Sequence, residues 1–118
     1  MKKVILSTLG VVFCFASFSV SAQNYYFMKG AAINYFTEED ATIYERAQTN
    51  ALNNHKDGDK VSWSNPKSGA HGYFIPSDTK KEKDMTCRKL AIFNYAQHHS
   101  GLSSFKFCKV KNAWKIVS

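Results

Sequence analysis

Cys87 and Cys108, 21 positions apart, limit what this chain can fold into more than any other residues do. They stand in the frames Thr86-Cys87-Arg88-Lys89 and Phe107-Cys108-Lys109, and the third cysteine, Cys14, lies in a stretch that reads as an export signal. Met1-Lys2-Lys3 is a short basic start, Val4 to Val20 is apolar apart from small and hydroxyl residues, and Val20-Ser21-Ala22 is a small-residue cleavage box. Residues 1–22 are therefore expected to be a cleaved signal peptide, with Gln23 opening the mature chain. Two thiols then remain in an oxidising compartment, which predicts one intramolecular disulfide. Closing that loop contributes about 3 kcal/mol in the chain-entropy model. The same bond removes both cysteines as nucleophiles, and their spacing is far from the short Cys-x-x-Cys of a zinc site.

Removing 22 of 118 residues leaves 96, enough for one domain. A domain of that size buries roughly two-thirds of the surface of its unfolded chain, so a covalent staple matters to its stability. No later stretch approaches the roughly 20 apolar residues of a membrane span. Cys14 is a poor lipidation site, because Phe13 stands where a lipobox needs a small residue. The expectation is an exported protein of the periplasm or outer-membrane surface, soluble or peripherally attached and not lipid-anchored. Loss of Lys2 and Lys3 takes 16 basic side chains to 14 against 9 acidic ones, a formal +5. Such a balance favours anionic neighbours and bears on association rather than fold.

One helix is well signalled. Thr37-Glu38-Glu39-Asp40 supplies a hydroxyl cap, acids that complement the helix dipole, and an acid placed as in a capping box. Ala41, Tyr44, Ala47, Ala51 and Leu52 then form an apolar stripe, predicting a helix from Glu38 to Asn53 that ends in the turn-forming run up to Gly58. Ahead of it, residues 23–36 are aromatic-rich. Strands are predicted over Lys60–Ser64, His71–Pro76, Thr86–Gln97, Ser103–Lys111 and Trp114–Val117, with Asn65–Gly69 a turn, Ser77–Asp84 irregular and Asn112-Ala113 the last turn. The expected fold class is α+β, one helix packed on an antiparallel sheet of four to five strands.

The register of the two cysteines stays open at this level. Residues facing each other across an antiparallel hairpin have a constant index sum, and Cys87 opposite Cys108 requires 195. A loop of Ala96 to His99 satisfies that sum, whereas the evident turn signal Ser100-Gly101 gives 201. Either a wider loop and bulge shift the register, or the disulfide joins strands that are not simple hairpin partners.

The run Ala51-Leu52, then Val61-Ser62-Trp63-Ser64-Asn65-Pro66, Gly69-Ala70-His71-Gly72-Tyr73-Phe74-Ile75-Pro76, Cys87-Arg88, Cys108-Lys109 and Trp114-Lys115-Ile116-Val117 resembles the C-terminal domain of the rickettsial seventeen-kilodalton surface antigen family. The resemblance covers residues 37–118, a surface-antigen-like domain, and singles out Trp63, Pro66, Gly72 and Trp114 as structural anchors. It implies an envelope or surface protein with no established enzymatic activity. Two departures stand out: residues 24–36 are aromatic where relatives carry a glycine-rich, membrane-associating segment, and Asn112-Ala113 replaces a common Asp-Gly.

Candidate chemistry is sparse. Arg88, Lys89, Lys106 and Lys109 are candidate anion-binding residues, although alternation in the fourth strand divides Lys106 from Lys109. His71, His98 and His99 are weak metal ligands, since adjacent strand residues point to opposite faces. Arg88 also suits pairing with an acid or capping of carbonyls. The acids Glu38, Glu39, Asp40, Asp57 and Asp59 lack a converging base, nucleophile or oxyanion donor and are explained by caps and turns. No cofactor, metal, catalytic residue or nucleic-acid partner is expected. The function that follows is a non-enzymatic structural or interaction module of the envelope; the alternative is a binder of an anionic envelope component, or a secreted inhibitor that docks on another protein.

Overall fold

A computed structural model describes residues 32–118. The export signal, Cys14 and the aromatic residues up to 31 lie outside the described residues. A short 3-10 turn, Ala32–Tyr35, leads into helix α1, Glu38–Asn54. Five strands follow: β1 (Val61–Ser64), β2 (His71–Glu82), β3 (Met85–Ala96), β4 (His99–Val110) and β5 (Ala113–Ile116). They pair in sequence order as one antiparallel meander, with α1 on one face, which is the expected α+β architecture.

The helix starts where its capping box puts it. The Asp40 N–H donates to Thr37 Oγ1 at 3.0 Å and the Thr37 N–H donates back to Asp40 Oδ2 at 2.9 Å. Tyr44, Ala51 and Leu52 are buried against the sheet, where Val61, Trp63, Phe74, Leu90, Ile92 and Phe107 form the opposing layer. Full burial of each large side chain stabilises the fold by about 1.5–3 kcal/mol. Trp63 makes T-shaped contacts with Phe36 and Tyr44 at 5.3 and 5.9 Å, and Tyr44 also meets Phe74 at 5.2 Å. Gly72, the cross-strand neighbour of Trp63, has to be a glycine: a Cβ there would lie 2.1 Å from the Phe93 carbonyl oxygen.

Cys87 and Cys108 are directly opposed on β3 and β4, Cα atoms 4.1 Å apart, and joined as a disulfide. The register sum is 195. The chain reverses at Gln97-His98, both at positive φ (49° and 68°), while Ser100 and Gly101 lie inside β4 opposite Tyr95 and Asn94. β4 thus begins at His99 rather than Ser103. The irregular segment expected over Ser77–Asp84 is also corrected, because β2 continues to Glu82 and turns at Lys83-Asp84 (φ 49° and 66°). A bulge makes that possible: between Ser77↔Lys89 and Lys80↔Cys87, Asp78 and Thr79 face Arg88 alone, with Asp78 at φ 51°. The last turn moves back by one residue, from Asn112-Ala113 to Lys111-Asn112 (φ 50° and 66°), so β5 starts at Ala113. The three two-residue turns, β2–β3, β3–β4 and β4–β5, therefore each have two left-handed central residues, the type I′ signature, without a glycine.

Candidate functional site

The two faces of the sheet have different contents. On the helix face, both ends of α1 are tied down by buried charge. Asp40 is 1% exposed, and its Oδ1 accepts from Asn65 Nδ2 at 2.7 Å and Ser68 Oγ at 2.6 Å, locking the helix start to the β1–β2 turn that contains the exposed Pro66. Burial pushes the Asp40 carboxyl up, but hydrogen bonds from Ser68, the Thr37 backbone, Asn65 and the Thr37 side chain together hold it below its ordinary value.

Arg88 does the corresponding work at the other end. The bulge turns Thr79 toward it, and Nε donates to Thr79 Oγ1 at 2.7 Å. Nη1 donates to the Ala51 and Leu52 carbonyls at 3.2 and 2.6 Å, and Nη2 to the His55 carbonyl and Asp57 Oδ1 at 2.7 and 3.0 Å. All five guanidinium N–H groups are engaged, so none is left for an external anion. Hydrogen bonds from the Thr79 side chain, the Thr79 backbone and Arg88 hold Asp57 below its ordinary value. Asp59 Oδ2 lies 3.2 Å from His55 Nδ1 and accepts from the tautomer that carries its proton there, and Glu38 and Glu39 occupy the first turn of α1.

Lys109 lies on this same face, over the Trp114 ring at 5.7 Å, and both side chains donate to Asn53 Oδ1, at 3.3 and 2.8 Å. Trp63 is buried in the core, and Trp114 is half-buried beside the helix end. The four candidate anion-binding residues are thus divided: Arg88 and Lys109 face α1, while Lys89 and Lys106 sit side by side on the opposite face.

That opposite face has no layer over it among the described residues. Register places five rows on it: Ser64-His71-Tyr95-Ser100, Ser62-Tyr73-Phe93-Leu102, Ile75-Ala91-Ser104, Ser77-Lys89-Lys106 and Lys80-Cys87-Cys108-Lys115. One end is aromatic, with His71 stacked on Tyr95 at 4.8 Å and Tyr73 on Phe93 at 5.3 Å; Lys60 covers the Tyr73 ring at 4.3 Å. Leu102, beside Phe93, is 72% exposed. The other end is basic. Lys80, Lys89, Lys106 and Lys115 surround the disulfide, and Glu82 is the one carboxylate that register brings to the face, bonded to Lys106 Nζ at 2.6 Å. That hydrogen bond is also the main reason the Glu82 carboxyl lies below its ordinary value.

Sequence reading found Lys89 and Lys106 but missed His71, Tyr73, Phe93, Tyr95, Leu102, Lys80 and Lys115 as one surface. The signal was present as alternation, since 89, 91, 93 and 95 share a parity, but the surface appears only once the registers of β2 and β4 are known. The histidines do not converge: His71 lies on the open face, His98 in a turn, and His99 stacks on Tyr35 at 3.8 Å toward the 3-10 turn. No group of three metal-ligating side chains occurs among the described residues. Comparison of the chain with protein-family models, curated proteins and solved structures finds no match.

Proposed function

We propose that this is an exported envelope or surface protein, a non-enzymatic module that binds through the open face of its sheet. One observation carries the reading: α1 covers one face, while the other holds stacked aromatics, an exposed leucine and a cluster of lysines with one carboxylate in register among them. Exposed apolar side chains of this kind, rimmed by charge, are characteristic of interaction surfaces. The disulfide supports the export reading, since such bonds persist in oxidising compartments. The resemblance to the seventeen-kilodalton surface antigen family points to the same compartment.

Placing a photo-crosslinking residue at position 102, followed by cell fractionation, tests the proposal. Crosslinks to an envelope component, from a form whose two mature-chain cysteines are oxidised, are the expected result. Cytosolic protein with both thiols free would overturn it, as would crosslinking no stronger at position 102 than from a control on the outer face of α1, such as Glu45.

A further inference from the structure

Resting on that reading, we infer that the occupant of the open face is an anionic glycan, its sugar rings lying against Phe93 and Tyr95 and its acidic groups held by Lys89, Lys106 and Lys115.

The shape of the aromatic end suggests the ligand. Tyr73 and Phe93, and His71 and Tyr95, are cross-strand neighbours stacked with interplanar angles of 24° and 27°, so the rings stand upright on the sheet. Stacking toward β2 uses one face of Phe93 and of Tyr95. The other face of each looks over β4, where the opposing residues are Ser100, Leu102 and Ser104, all exposed and two of them short. This makes a shelf with an aromatic wall and a floor of hydroxyls. A pyranose ring fits it, with axial C–H groups against the π face and hydroxyls within reach of serine.

Charge fixes the rest. Along β3 the wall runs from Tyr95 and Phe93 toward Lys89, a distance of about 13 Å from Phe93 at roughly 3.3 Å per residue. Lys106 stands opposite Lys89, and Lys115 lies one row further on. Directly opposed lysines repel each other in the absence of an anion, and Glu82 neutralises one of them. Lys89 and Lys115 have no acidic partner among the described residues, and a chain of a few sugars carrying carboxylate or phosphate would supply it. The carboxylate that register brings to this face, Glu82, is already bonded to Lys106, so a second copy offers no free acid from it, and residues 23–31 carry Lys29 and no acid; neither supplies the acid that Lys89 and Lys115 lack.

The test is binding of the mature protein to hexagalacturonate, with maltohexaose, a short linear polyphosphate and a ten-residue oligothymidylate as probes of ring, charge and nucleic acid alone. Hexagalacturonate and a phosphorylated oligosaccharide, compared side by side, distinguish carboxylate from phosphate as the acidic group. The expected result is that an acidic oligosaccharide binds more tightly than all three control probes, with affinity that falls as salt rises. Leu102→Glu, at an exposed position, should weaken binding about tenfold or more without lowering the melting temperature, because it sets a carboxylate on the shelf. Lys89→Glu should weaken it about three- to tenfold. Amide shifts on titration should follow residues 89–95 and 100–106 and spare α1. Equal or tighter binding of polyphosphate or oligothymidylate, no binding of either acidic glycan, or a position-102 crosslink to residues 25–28 or to a second copy would each overturn the inference. Failure here alongside envelope-specific crosslinking in cells would refute the glycan and leave the interaction module standing.

Discussion

The two ends of α1 solve the same problem in opposite ways. At the start, orphan N–H groups and the positive end of the dipole meet Thr37 and Asp40, residues of the helix itself, and Asp40 then reaches outward to the Asn65–Gly69 turn. At the finish there is no basic residue in the last turn, and the cap residue His55 is extended rather than left-handed. The orphan carbonyls of Ala51 and Leu52 are instead taken by Arg88, 36 and 37 positions away on β3. One end is closed by its own sequence, the other by the fold. The N-terminal end should therefore tolerate damage better, since its partners are local, whereas the C-terminal end fails if β3 is misplaced.

The largest expected effect follows directly. Arg88→Met leaves three carbonyls without their side-chain donor, takes one of three donors from Asp57, and should cost about 3–5 kcal/mol, read as a lower urea midpoint at unchanged slope. Arg88→Lys keeps the charge but not the planar fork, and should recover less than half of that loss. Reduction of the disulfide comes next. Cys87 adjoins Arg88, so breaking the bond should remove about 3 kcal/mol and speed amide exchange near Leu52 more than near Ala41. Equal acceleration at the two ends would mean that the staple acts on the whole sheet and not through Arg88.

This asymmetry also decides what could be read in advance. Thr37-x-x-Asp40 is a local pattern with a local consequence, so the helix start was legible. The role of Arg88 depends on the Asp78–Thr79 bulge, which no local pattern announced, and the charged run Ser77–Asp84 looked irregular because its polar residues face solvent on both sides of a long hairpin arm. The turns misled for a different reason. Ser100-Gly101 carries the glycine, yet the chain turns at Gln97-His98, where the disulfide register demands it. The second residue of each turn is Asp84, His98 or Asn112, all types that enter the left-handed region more readily than most, and that faint signal was the one to follow. The open-face surface assembles residues from four strands, β2 to β5, and becomes visible only with the register.

Smaller effects probe the N-terminal end. Asp40→Asn forces an amide donor toward either Thr37 N–H or the Asn65 and Ser68 donors, and should cost about 2 kcal/mol at neutral pH. Because the folded carboxyl is held below its ordinary 3.8, the unfolded chain binds the proton more tightly. The stabilisation is then complete above that value and is lost as pH falls through the folded pKa. Urea titrations should show the gap between Asp40→Asn and the parent chain narrowing in acid, while the Arg88→Met gap persists. Thr37→Ala removes one cap oxygen and should cost about 1 kcal/mol.

The smallest effect is the most discriminating. Asp57 is the acid partner of Arg88, but its side chain is 43% exposed, and Arg88 gives three of its five donors to carbonyls and a fourth to the Thr79 hydroxyl. Asp57→Asn keeps an oxygen for Arg88 and the Thr79 hydroxyl and removes the charge and the exposed acceptor of the Thr79 N–H, which water can replace, so solvent screening limits the loss to about 0.5–1 kcal/mol. The folded Asp57 carboxyl is also held below 3.8, so this contribution too is present above that pH and fades below it. A loss from Asp57→Asn as large as that from Asp40→Asn would make the C-terminal end an ion pair rather than a carbonyl cap. Fold-built closure would then rest on charge, as the N-terminal end does, and the two ends would differ only in where their partners lie along the chain.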